Sequence, residues 1–127
     1  MDDTRKIYYL RYALILVGVA LLLLYPLMYV WPSGWMWEPH QSKYEQMIIG
    51  IYATLAVFLF LASKNPLAHA SLIWFTVWSS LVHASIMLFQ ALYYPAEYGH
   101  LYGDIPALYL FAIVLAYLMP RGSHLKP

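Results

Sequence analysis

Four apolar runs, at roughly 7–30, 44–62, 66–92 and 105–119, take up most of this 127-residue chain. A helix that crosses a hydrocarbon core of about 30 Å needs about 20 mostly apolar residues. In lipid, every backbone polar group must be satisfied inside the segment or a closed barrel, so runs of this kind are helices. Short joints separate them, which makes consecutive helices antiparallel neighbours. The expected fold is therefore all-α: a transmembrane four-helix bundle formed by residues 1–127 as a single domain. Composition agrees, at 63% hydrophobic and 10% charged, against about 45–50% and about 25% in soluble domains. That balance excludes an ordinary soluble enzyme, a disordered segment and a basic nucleic-acid binder. The chain has no cysteine, which excludes a disulfide framework, a thiolate nucleophile, an iron–sulfur centre and a Cys-type zinc site.

Helix boundaries are marked by capping chemistry. Ser42-Lys43-Tyr44-Glu45 reads as a capping box for the second span. Asn65-Pro66 offers an N-cap and a first-turn proline for the third. Asp104 reads as the cap of the fourth, and Pro120-Arg121-Gly122 as its end. Pro26 lies inside the first span and predicts a kink or an early end there. Arg5 and Lys6 precede the first run in the manner of a signal peptide, but the run is too long and lacks a small-residue cleavage site, so it reads as a permanent helix.

Charge placement orients the bundle. With four crossings, Arg5, Lys6, Arg11, Lys64, Arg121 and Lys126 fall on one side and Lys43 on the other. The expectation is that both termini are cytoplasmic. Arg11, about one turn inside the first span, can snorkel to the interface.

The other side is aromatic. Trp31, Trp35, Trp37 and Tyr44 border the first outer loop, and Tyr93, Tyr94, Tyr98 and Tyr102 the second. Trp and Tyr at this depth form an interfacial belt, and a lid over a binding site is the sharper reading. Within the third span, Thr76, Ser79, Ser80, His83 and Gln90 recur on one helical face, which places that helix at the bundle centre. His83 reads either as a neutral histidine bonded to a serine or backbone carbonyl of a neighbouring helix, or as a ligand- or proton-binding group. Two polar clusters approach it from the outer loops: Glu38, His40 and Glu45, then Glu97, His100 and Asp104. Glu45 and Asp104 also suit helix starts, and Glu38, His40 and Glu97 also suit solvated loops.

Several chemistries lack their residue patterns. There is no His-x-x-x-His, no Glu-x-x-His on one of the four expected helices and no paired-Glu repeat of the di-iron kind, so no metal site is predicted. His83 has no second histidine at similar depth to ligate haem. No Gly-x-Ser-x-Gly elbow accompanies Ser79, Ser80 and His83, and no phosphate-cradling glycine motif occurs. No cofactor is predicted. Gly50-x-x-x-Thr54 and Ser80-x-x-x-Ala84 are small-residue pairs that let helices approach closely, within the bundle or between protomers.

Between Trp35 and Met119 the chain carries Trp37-Glu38-Pro39-His40, Gly50-Ile51-Tyr52-Ala53, Trp78-Ser79 with His83, and Gly103-Asp104-Ile105-Pro106-Ala107-Leu108. In these stretches it resembles an uncharacterised family of small bacterial four-helix integral membrane proteins. The resemblance implies a fold and a bacterial membrane, and it assigns no chemistry.

The residues themselves lead to a small membrane binding module. Its polar pocket near the outer leaflet is lined by Glu45, Tyr52, Trp78, His83, Gln90, His100 and Asp104, and takes a small ligand, lipid headgroup, ion or proton. A structural or accessory subunit of a homo-oligomer or larger membrane complex is the alternative. A membrane redox or metal-dependent enzyme subunit is the third class. The expected partners are the lipid bilayer and other membrane chains, with no nucleic acid.

Overall fold

The computed structural model describes residues 2–36 and 43–120. Among the described residues the fold is helical, with no strand: α1 (Asp3–Leu22), α2 (Leu24–Val30), α3 (Pro32–Trp35), α4 (Lys43–Lys64), α5 (Ala70–Tyr93) and α6 (Asp104–Leu118). Two 3-10 segments, Pro66–His69 and Pro95–Tyr102, precede α5 and α6. Ser42, Glu38, His40, Trp37, Arg121, Gly122 and Lys126 lie outside the described residues.

Two helical stretches, Lys43–Lys64 and Pro66–Tyr93, are long and apolar enough to cross a membrane; the number is up to four if each bent pair counts as one span. The bent pairs are α1–α2, with a 52° bend, and Pro95–Tyr102 with α6, at 40°. The α1 bend comes earlier than Pro26 because of where a proline acts. Its ring clashes with the carbonyl four residues back and it brings no N–H to that carbonyl. Four back from Pro26 is Leu22, the last residue of α1.

Capping differs from the expectation at two joints. Asn65 provides no side-chain cap, and Pro66 opens a 3-10 turn instead of the α-helix itself. The turn is tied by a bond of 3.1 Å between His69 Nδ1 and the Asn65 carbonyl, and α5 begins only at Ala70. At the start of α6, Gly103 takes the N-cap position and Asp104 becomes the first helical residue. One cap goes beyond the sequence reading: the Asp2 carboxylate accepts the Arg5 backbone N–H at 2.9 Å.

Packing places α1 between α4 and α6, with α5 lying mainly against α6. The core is built from Leu10, Leu14 and Val17 of α1, Ala56 and Leu59 of α4, Ile73 and Val77 of α5, and Ala112 and Leu115 of α6. The third span is therefore not the central helix. Its polar face turns inward, but Phe75, Trp78, Val82, Ile86 and Phe89 form an outward apolar stripe along it, with Phe89 80% exposed. Apolar stripes that wide on a monomer's surface need lipid or a partner to cover them.

The two ends of the helical fold differ. At one, the Lys6 ammonium lies over the Tyr117 ring, 5.3 Å from its centre, so the start of α1 meets the end of α6. At the other, α2, α3 and residues 95–102 form a cap. Here α3 touches the second 3-10 segment so closely that a Cβ on Gly99 would fall 2.3 Å from the Ser33 carbonyl oxygen. A Cβ on Gly103 would fall 2.2 Å from that of Gly34. Only glycine permits this backbone approach.

Candidate functional site

Few close approaches link α4 to α5, and the space between them beneath the cap is a cavity of about 290 Å³. That size sits at the small end of the roughly 300–1,000 Å³ typical of ligand pockets. Its apolar walls come from Leu21, Leu24 and Met28 on α1–α2, Ile48 and Ile49 on α4, Met87 on α5, and Leu108 and Phe111 on α6. Its polar groups come from separate elements: Tyr44, Glu45 and Tyr52 from α4, His83 and Gln90 from α5, and Asp104 from α6.

Helix period explains the convergence. Glu45, Ile48, Ile49 and Tyr52 repeat at three- and four-residue steps, as do His83, Met87 and Gln90, so each set occupies one face. Antiparallel α4 and α5 bring those faces together. Their meeting point is a hydrogen bond between the Tyr52 hydroxyl and His83 Nδ1. The two rings stack, with centroids 5.7 Å apart and planes 12° apart. Two other hydroxyls of the α5 stripe serve their own helix. Thr76 donates to the Leu72 carbonyl at 2.9 Å and Ser79 to that of Thr76 at 3.3 Å. His83 thus finds a phenol, where a serine or backbone carbonyl was expected.

Behind Asp104 lies His100, which is 1% exposed. Its Nδ1 donates to Asp104 Oδ1 at 2.8 Å and its Nε2 to the Met36 carbonyl at 3.0 Å, with Glu97 Oε2 also 3.0 Å from Nε2. A carbonyl and two carboxylates offer acceptors to both ring nitrogens, so these surroundings favour the imidazolium form. His100 lies in the 3-10 segment Pro95–Tyr102, ahead of the apolar run 105–119. Burial opposes its charge, but the Asp104 bond and charge, the Glu97 charge and the Met36 carbonyl outweigh it and hold its pKa above the usual histidine value. One side chain thus binds α6, residues 95–102 and the chain just after α3.

The expected site residues separate into groups. Glu45, Tyr52, His83, Gln90 and Asp104 line the cavity together. His100 stands one layer behind, as the support of Asp104. Trp78 is 63% exposed on the outer face of α5 and is not part of the lining. It shares the α5 outward stripe with Phe75 and Val82, on the face away from His83. Glu97, expected as a solvated loop residue, is buried against His100. Trp35, grouped with the interfacial belt, instead lines the cavity, and its indole Nε1 is buried without a hydrogen-bond partner among the described residues. The other aromatic residues of that set, Trp31, Tyr44, Tyr93, Tyr94, Tyr98 and Tyr102, are exposed. Among the described residues no three His, Asp or Glu side chains converge as metal ligands.

A family model described as "Family of unknown function (DUF6632)" matches residues 5–127. No curated protein and no solved structure matches the chain.

Proposed function

We propose that this chain, which belongs to the DUF6632 family of unknown function, works as a small integral membrane binding module. The cavity between α4, α5 and α6 holds a small ligand near the outer leaflet. In this reading α1–α2, α4, α5 and α6 are four spans. The end that carries Arg5, Lys6, Arg11 and Lys64 faces the cytoplasm with both termini, in a bacterial plasma membrane. One observation supports the reading most: polar side chains from three helices line a single apolar-walled cavity. Ionisable groups at this depth are costly and usually face a functional interior.

The test is retention. Native mass spectrometry of protein released from its own membranes should show a discrete small adduct on wild type. The same adduct should be missing from Ala107→Phe, which fills the cavity from α6. Equal occupancy on both proteins contradicts the reading.

A second reading rests on Gly50. It is exposed on α4, a Cβ there would meet nothing within 4 Å, and exposed Thr54 bonds back to its carbonyl at 3.0 Å. The small pair therefore serves no packing inside the bundle, which suits a subunit that associates with itself or a larger membrane complex. Gly50→Leu should abolish self-association in crosslinking. An unchanged oligomer removes this reading.

A further inference from the structure

We infer that the ligand of this cavity is a small organic ammonium that carries an oxygen acceptor near its charged group. The inference rests on the binding-module reading and adds the chemical class. The lining holds the carboxylates of Glu45 and Asp104 and, among the described residues, no lysine or arginine. Immediately behind, Glu97 and Asp104 flank His100. Even with His100 charged, the carboxylates outnumber it across this end of the cavity. Charges interact far more strongly in an apolar enclosure than in water, so a cation is drawn in and an anion is kept out.

The walls select the kind of cation. Trp35, Tyr44, Tyr52 and Phe111 surround the same space, and aromatic rings are favourable surfaces for ammonium groups. A bare metal ion needs several converging donors, and among the described residues no such group exists. An alkylammonium needs only charge and aromatic surface. The second half of the assignment comes from Trp35. Trp35 belongs to this lining, and its Nε1 donor is buried with no partner among the described residues. A buried donor left unpaired costs about 1–3 kcal/mol, so a ligand oxygen that accepts from it is favoured. An amino alcohol has both features. The shared ammonium chemistry has two sources, a free amine or a lipid headgroup.

Titration calorimetry of the full chain in phosphatidylglycerol nanodiscs tests the class with a matched trio. Choline, 3,3-dimethyl-1-butanol and 3,3-dimethylbutanoate share a branched head and differ in charge. Choline should bind at least tenfold more tightly than the neutral alcohol, and the carboxylate should not bind. Glu45→Gln and Asp104→Asn should each lower choline affinity about tenfold and leave the alcohol unchanged. Should Asp104→Asn fail to fold, Glu45→Gln carries the test, because it leaves the His100 bonds intact. Trp35→Phe should weaken choline and spare a tetraalkylammonium that lacks the hydroxyl. If phosphatidylcholine added to the nanodisc competes with free choline, the source is a headgroup; if it does not, the source is a soluble amine. Equal binding of the alcohol overturns the ammonium assignment and leaves the cavity reading standing. A wild-type protein that binds none of the three overturns the assignment as well. The cavity reading fails separately, on the Ala107→Phe comparison.

Discussion

His100 Nδ1 lies 2.8 Å from Asp104 Oδ1, and through this bond the cap is fastened to the wall of the cavity. The imidazole belongs to the cap, whereas the carboxylate faces the cavity from the first turn of α6. Anything that breaks the pair loosens the roof and changes the charge of the lining together.

Stability should depend on pH through His100. The folded protein holds its pKa above the ordinary value of 6.5. A raised folded-state pKa gives stabilisation that is complete below the unfolded value and is lost as pH rises through the folded one. Wild type should therefore lose stability relative to His100→Gln from about pH 6.5 upward. Thermal melts in detergent between pH 5 and 9 read the difference. A gap that widens with rising pH would show the histidine to be neutral in the fold. Asp104→Ala, which removes one of the two carboxylates that hold the buried His100 ring, should cost about 1–3 kcal/mol at pH 6.

Glycine substitutions should divide by location. Gly103→Ala drives a methyl into the Gly34 carbonyl, and overpacking of this kind costs about 1–3 kcal/mol. It should also undock α3, exposing Trp35 to collisional quenchers. Gly50→Ala meets open space and should be neutral or stabilising by up to about 1 kcal/mol, since alanine is the better helix former. Chemical denaturation of both variants checks the contrast. Equal losses would refute the close α3 docking.

The Tyr52–His83 pair should show coupling. Tyr52→Phe removes the hydroxyl and leaves a half-buried ring nitrogen unpaired, at about 1–3 kcal/mol. His83→Leu should cost a similar amount, and the double variant much less than the sum. A double-mutant cycle by equilibrium unfolding measures this, with a coupling of about 1 kcal/mol expected. Strict additivity would mean that the two side chains do not meet.

The long apolar helices were legible because length and apolarity are one-dimensional properties. So was the meeting of Glu45, His83, Gln90 and Asp104, since antiparallel neighbours bring those faces to one end. The cap was not legible. Charged Glu97 in a short polar joint reads as solvated, and only the fold reveals that His100 needs it. Trp35 looked like one more belt residue, and its inward turn depends on α3, a helix of a single turn. One signal was available: Gly99 and Gly103 stand four apart, the spacing by which small residues admit a close neighbour. The neighbour proved to be the backbone of Ser33 and Gly34. The Trp78 expectation failed because periodicity fixes a face only approximately, and its own apolar stripe with Phe75 and Val82 outweighed its closeness to Ser79.

Topology is open to a clean test because the chain contains no cysteine. Single cysteines at Trp31 and Tyr98, both exposed in the cap, should react with an impermeant maleimide added outside intact cells. A cysteine at Lys64 should react only after lysis. The reverse pattern would invert the bundle and move the cavity to the inner leaflet.

The central claim is that the cavity holds a small molecule. A crystal structure grown from a lipidic mesophase, without prior delipidation, tests it most directly. The account predicts ordered non-protein density bounded by Tyr52, His83, Asp104 and Trp35, with one atom within hydrogen-bond reach of the Trp35 indole nitrogen. A cavity closed by its own side chains, with α4 and α5 in continuous contact, would contradict it.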